Sequence, residues 1–300
     1  MTGFSIPEAA FSGFRIARKH PRALAVWAAL QLAVSLILGL VLVAAAGPAL
    51  MQLQAMAAAA PADPTKALAA VSGLLPTYAL ILPFVLILTA VQNAAMNRVV
   101  LTPELDRFGY LRLGRDELRQ LALLLLGLVV FFGVYIGLVM VVTIAATIAT
   151  LALKASGLIV AMLGALAAVG AFLYLAARLS LASALTFATG KVDLFGSWRL
   201  THGRLRPLLL TYAIALISAV VVYLLTMVII YAAGAAVGGA GAQPDMSSIR
   251  AYLTPATLIQ IVLSAGASAL VLPLIGAPPA AIYRQIAAGR AWSGAAGVFS

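Results

Sequence analysis

The stretch Gln120–Leu153, QLALLLLGLVVFFGVYIGLVMVVTIAATIATLAL, runs 34 residues between Arg119 and Lys154 without an Asp, Glu, Lys or Arg. A charge at mid-bilayer costs several kcal/mol, and about 20 apolar residues cross about 30 Å of hydrocarbon, so the stretch reads as a transmembrane helix. It is longer than one crossing requires. A pair of helices would need a turn signal near the middle, where only Gly127, Gly133 and Gly137 occur, so tilt or extension beyond the bilayer absorbs the surplus.

Working outward, five further charge-free gaps separate Arg22 from Asp63, Lys66 from Arg98, Lys154 from Arg178, Arg206 from Asp245 and Arg250 from Arg284. One helix in each gives six spans, near 23–46, 74–98, 120–149, 156–179, 207–233 and 256–284. In the first gap Gly47-Pro48 punctuates the end of the span, and Pro61-Ala62-Asp63-Pro64 closes the loop after it. Composition agrees: 64% of the 300 residues are hydrophobic, 9% are charged and mean hydropathy is +1.11, which excludes a soluble globular domain. The absence of cysteine excludes a disulfide framework, a thiolate metal site and a cysteine nucleophile. No connecting segment is long enough for a separate domain. The expectation is an all-α membrane protein, residues 1–300 forming one integral-membrane unit.

Orientation follows from Lys and Arg. Sixteen lie before span one, between two and three, between four and five, or after span six; only Lys66, Lys154 and Arg250 lie on the other side. The positive-inside rule then places both termini in the cytoplasm, and an even number of spans requires them to share a side. A cleaved signal peptide is the competing reading of the start, but its apolar core would exceed the usual ~7 to 15 residues.

The connecting segments repeat. Phe108–Leu121 aligns without a gap on Phe195–Leu208, and Phe11, Phe14, Arg15, Arg18 and Arg22 fit the same frame. Each copy precedes an odd-numbered span, so the chain reads as three pseudo-repeated units, each a short cytoplasmic amphipathic helix plus a transmembrane hairpin. Basic residues recur at i, i+3 and i+7: Arg15, Arg18, Arg22; Arg112, Arg115, Arg119; Arg199, His202, Arg206. On continuous helices each set would be one stripe. Two readings stand: ordinary flanks that set topology, or a surface that contacts anionic phospholipid headgroups or an acidic partner. Asp116 and Glu117 read as helical ion-pair partners of Arg112, Arg115 and Arg119.

Within the spans no ionisable residue occurs at mid-depth. Gln92, Asn93 and Asn97, toward the cytoplasmic end of span two, form the best candidate polar site, with Gln31, Thr89, Thr143, Thr147, Gln260 and Ser264 as further neutral groups. Prolines 76, 83, 273, 278 and 279 either kink their helices or break them to expose backbone. Gly133-x-x-x-Gly137 and Gly234-x-x-x-Gly238 are small-xxx-small patterns, read as tight packing within the bundle, with a homo-oligomer left open. His20 and His202 have no second ligand at metal spacing, and neither a zinc-protease motif nor a phosphate loop is present. The expectation is no enzyme, no cofactor, no metal and no nucleic-acid partner, the net charge of +11 being what insertion alone produces. Membrane lipids, or another membrane protein, are the expected partners.

Arg178-Leu179-Ser180-Leu181-Ala182, followed by Gly196-Ser197-Trp198-Arg199-Leu200-Thr201-His202-Gly203-Arg204, and then Ala281-Ile282-Tyr283-Arg284, resemble the bacterial glycerophosphoryl diester phosphodiesterase membrane-domain family and its stand-alone relatives. The resemblance covers about a third of the chain by motif. It implies a helical inner-membrane unit near phospholipids, in some members fused to a catalytic barrel that hydrolyses glycerophosphodiesters. No such barrel lies in these residues, so the hydrolase activity is not implied. The reading is a multi-pass protein of a bacterial inner membrane, a lipid-associated scaffold or assembly factor acting through its basic helices. The alternative is a transporter or flippase for a neutral or lipid-like solute.

Overall fold

The computed structural model describes residues 4–58, 64–105, 108–153, 156–237 and 244–296. Six helices are long and apolar enough to cross a membrane. They are α3 (Pro21–Ala58), α4 (Pro64–Leu101), α5 (Arg115–Leu153), α6 (Ser156–Leu179), α9 (Leu205–Ala236) and α11 (Pro255–Ala296). Short helices α1 (Ile6–Ala10) and α2 (Ser12–Lys19) precede them, and α7 (Ala182–Thr189), α8 (Gly196–Thr201) and α10 (Ile249–Tyr252) lie between them, with single 3-10 turns at Pro103–Leu105 and Phe108–Tyr110. No strand occurs among the described residues.

The boundaries follow local chemistry. Proline occupies the first position of α3, α4 and α11, where its missing N–H is no loss. At α11 the Thr254 hydroxyl accepts from the Thr257 N–H at 3.3 Å, completing the cap. α7 stops at Gly190, whose φ of 67° suits glycine and whose N–H returns to the Thr186 carbonyl.

α5 is continuous from Arg115 to Leu153, about 58 Å at 1.5 Å per residue, so the charge-free gap between Arg119 and Lys154 holds a single helix. Gly47-Pro48 does not end the first span: α3 continues to Ala58 with Pro48 inside it. One proline removes one donor, whereas ending the helix at the edge of the apolar zone would strand several. Pro76, Pro83, Pro273, Pro278 and Pro279 likewise lie within unbroken α4 and α11.

α11 is the central element, packing on α9, α3, α4, α2, α1 and α7. The main core lies at the basic end of the bundle, the end bearing most of the Arg and Lys. There Ala94 to Val100 of α4 form an uninterrupted buried run. It meets Ala277 and Ala280 to Ile282 of α11, Ala9 and Ile16 from the N-terminal helices, and Leu181 and Leu208. The Ser5 N–H donates to Gln285 Oε1 at 2.6 Å, so both terminal segments sit at this end. Toward the opposite end the buried cluster shrinks to Val43, Tyr252 and Ile261. The most apolar eighteen-residue stretches of α5 and α6 contain no buried residue, as expected of lipid-facing surfaces.

The three basic sets do not form stripes. α2 ends at His20, whose φ of −125° is what a residue before proline adopts, so Arg22 starts a new helix. In the second copy Phe108, Gly109 and Tyr110 form a left-handed turn with φ of 47°, 63° and 64°, and Arg112 precedes α5 altogether. In the third, α8 stops at Thr201 and Gly203, at φ 72°, turns the chain into α9, which separates Arg199 from Arg206. Pro21 and Gly203 break the first and third sets, and in the second the helix begins only at Arg115, so no set lies on one continuous helix.

Gly133 and Gly137 are also placed differently from the reading as tight packing. A Cβ on either would meet nothing within 4 Å, because both face away from the bundle. Gly238, Lys154 and Arg107 lie outside the described residues.

Candidate functional site

The intramembrane amides divide between two environments. Gln92 and Asn93 of α4 line a cavity of about 460 Å³ together with Gln31 of α3, Tyr223 and Thr226 of α9, and Ser264 and Ser268 of α11. Four spans thus contribute neutral polar side chains to one space walled otherwise by apolar groups such as Trp27, Met227, Ile230 and Leu272. Gln92 Nε2 donates to Gln31 Oε1 at 3.2 Å, and Thr226 donates to the Val222 carbonyl of its own helix. The side chains of Asn93, Tyr223, Ser264 and Ser268 make no hydrogen bond among the described residues. In an apolar zone such amides and hydroxyls gain by meeting a hydrogen-bonding partner.

A second cavity, about 1020 Å³, continues between α9 and α11 toward the opposite end. Met227 and Ile230 line both, so the two spaces adjoin. Its rim carries Leu224, Val228 and Tyr231, all largely exposed to the lipid side. Its far end carries Gln260, Thr254, Thr257 and Asp245. The Ser247 hydroxyl and backbone N–H hold the Asp245 carboxyl below its ordinary range, so the mouth carries a fixed negative charge. Together they form a groove with neutral hydrogen-bonding groups at its deep end and hydrocarbon-like walls beyond.

Asn97 belongs elsewhere. One turn nearer the basic end, its Nδ2 donates to Ser183 Oγ at 2.8 Å, and Ser183 exchanges hydrogen bonds with Gln120 (Oγ to Oε1 and Nε2 to the carbonyl, both 2.9 Å). This network joins α4, α5 and the α6–α7 junction. Beside it lies an ion cluster built on Arg98, which the sequence reading counted only as a flank, having expected Asp116 and Glu117 to pair with Arg112, Arg115 and Arg119. Arg98, 2% exposed, sets Nη2 2.5 Å from Glu117 Oε1 and 3.4 Å from Asp116, while its Nη1 donates to the Tyr110 carbonyl at 2.9 Å. Neither Glu117 oxygen accepts a further hydrogen bond among the described residues. Asp116 also pairs with Arg119 at 3.0 Å, as the i, i+3 spacing predicted; Arg112 takes no part.

Arg178 is the equivalent residue at the end of α6. Its Nη1 donates to the Thr201 carbonyl at 2.9 Å, its own carbonyl accepts from Ser197 Oγ at 2.7 Å, and its guanidinium lies over the Trp198 ring at 5.5 Å. The Ser-Trp-Arg-Leu-Thr stretch is therefore a clamp on a buried arginine. Its own Arg199 points out, 3.6 Å from Asp193. Sequence reasoning missed Arg98 and Arg178 because an arginine at a span end resembles a topology signal. The available clue was the run of Ser, Thr, Asn and Gln around each.

The other basic candidates make local contacts or none. Arg15 reaches back to the Glu8 carbonyl and lies 3.8 Å from its carboxylate. Arg18, Arg22, Arg112, Arg115, His202 and Arg206 are exposed, with no ion pair among the described residues. Among those residues no group of three or more His, Asp or Glu could hold a metal ion. Compared with known proteins, the chain matches no family model, no curated protein and no solved structure.

Proposed function

We propose that this protein is non-enzymatic and binds an amphipathic, lipid-like molecule in the groove between α9 and α11, as a transporter or flippase for a neutral-headed solute. The observation that carries this reading is the convergence of Gln31, Gln92, Asn93, Tyr223, Ser264 and Ser268 on one cavity within the spans. Amides and hydroxyls without a charged residue favour a neutral head rich in hydroxyl or carbonyl groups. The apolar continuation past Met227 and Ile230 suits an acyl or prenyl tail, and the deep cavity of about 460 Å³ is in the range of small-molecule sites. We place the basic end in the cytoplasm of a bacterium on the positive-inside rule.

Native mass spectrometry of the full-length protein released from mild detergent tests the proposal. Wild type should retain a lipid-mass adduct that Asn93→Leu and Gln92→Leu lose. Equal retention by all three proteins would remove the groove from consideration.

The scaffold reading is favoured by one observation, the exposed Arg18, Arg22, Arg112, Arg115 and Arg206, which have no ion pair among the described residues. On that reading, Gln at Arg112, Arg115, Arg119, Arg199 and Arg206 reduces retained anionic phospholipid while the groove variants retain theirs. The same spectra give the subunit number.

A further inference from the structure

A separate cavity of about 150 Å³ lies at the basic end, between α2, the last turn of α4 and α11. Arg15, Lys19 and Arg284 line it, with His20 and Ser12 beside them and Val99 and Val100 as an apolar wall. Three cations from two segments at opposite ends of the chain thus share one small space. Glu8, 3.8 Å from Arg15, is the one carboxylate paired with any of the three among the described residues. All three side chains are exposed, and the mutual repulsion of cations sharing one small space is relieved by an anion.

The cluster is held in place by the fold. A Cβ at Gly13 would lie 2.5 Å from the Leu274 Cα and the Pro273 carbonyl oxygen, so α2 is seated directly on the α11 backbone. Arg284 Nη1 donates to the Val100 carbonyl at 3.0 Å, which orients the guanidinium and leaves its other N–H groups available. Arg15 is oriented by the Glu8 carbonyl. Lys19 has no partner among the described residues. At 1.5 Å per residue, Arg284 lies about 44 Å along α11 from Pro255, close to the thickness of a bilayer with its headgroups.

We infer that this cavity is a binding site for a phosphate group, presented by an anionic phospholipid headgroup or by a soluble phosphate compound. Two guanidinium forks and an ammonium suit the several acceptor oxygens of a tetrahedral anion, and the volume well exceeds the roughly 10–15 Å³ that holds one water. The site draws Arg15 from the first basic set but pairs it with Lys19 and Arg284, not with the second or third set.

The test titrates the full-length protein in uncharged detergent with inorganic phosphate and, separately, with short-chain phosphatidylglycerol in mixed micelles. Binding of the lipid alone assigns a headgroup site, and binding of both probes extends it to soluble phosphate. In either case Lys19→Gln should weaken binding roughly tenfold, the effect of one charge-assisted contact. Arg284→Gln should do at least as much. Arg199→Gln, outside the cavity, and Asn93→Leu, in the groove, should change nothing. Lys19→Gln keeps the fold intact because the Lys19 side chain is exposed and has no partner among the described residues, so wild-type affinity in that variant, an equal loss in Arg199→Gln, or no binding of either probe would overturn the site.

Discussion

Replacing Arg98 by methionine isolates the ion cluster that joins α4 to α5. The guanidinium is 2% exposed and meets Glu117, Asp116 and the Tyr110 carbonyl at 2.5, 3.4 and 2.9 Å. Removing one partner of a buried pair costs about 3–5 kcal/mol, because the remaining charge stays buried without compensation. The orphaned Tyr110 carbonyl adds about 1–3 kcal/mol, although one side chain makes both contacts and the sum is an upper bound. Against a typical total stability of about 5–15 kcal/mol, Arg98→Met should lower the thermal midpoint by on the order of 10 °C. Glu117→Leu on the same background should recover much of the loss, since two apolar groups can replace a buried pair at little net cost. The assay is thermal unfolding in mild detergent, followed by intrinsic fluorescence, on wild type, both single variants and the double variant. The reasoning fails if Arg98→Met melts within about 0.5 kcal/mol of the exposed Arg112→Gln control, or if the double variant is no more stable than Arg98→Met.

Three further outcomes are expected. Gly13→Ala should destabilise by roughly 1–3 kcal/mol or more, since its Cβ would meet backbone rather than flexible side chain; limited proteolysis should then cut within the first twenty residues. Gly133→Ala, with open space around the new methyl, should leave the melting midpoint unchanged or raise it by up to about 1 kcal/mol of helix propensity; a large loss would mean that Gly133 packs against a second copy. The Asp245 carboxyl titrates below its ordinary 3.8 because Ser247 binds the charged form. Its contribution is full above that value and is lost as pH falls through the folded one. Melting curves of wild type and Asp245→Asn against pH should therefore keep a constant offset above about pH 5 and converge only in the acid limb.

The six spans were legible because the signal that defines them is free energy per residue: a charge does not enter hydrocarbon, and the gaps between charges are the helices. What ends a helix outside the bilayer was less legible, because capping, a preceding proline and left-handed turns decide it within one or two residues. The repeated i, i+3, i+7 spacing of basic residues looked helical, yet His20 before Pro21 interrupts the first set, Gly203 the third, and α5 begins only after Arg112 of the second; a spacing argument carries no information about such breaks. Burial of arginine was illegible for a different reason. Arg98 and Arg178 stand at span ends, where basic residues are expected for insertion, and only tertiary packing distinguishes a buried arginine from an exposed one.

The same limit explains the split of the amides. Gln92 and Asn93 face the groove, while Asn97, four residues beyond Asn93, lies nearer the end where α5 and the α6–α7 junction close on α4 and takes Ser183 as its partner. From sequence, three amides within six residues form one cluster. In the bundle, the last helical turn moves from a cavity into a packed junction. The contrast between the two ends follows from the medium: in hydrocarbon, apolar surfaces gain little by leaving lipid for one another, so the spans pack most tightly where hydrogen bonds and ion pairs hold them. That is the basic end, with Arg98, Arg178, Gln120 and Asn97. Away from those contacts, α9 and α11 leave a groove between them, and the groove's polar groups make few bonds within the protein.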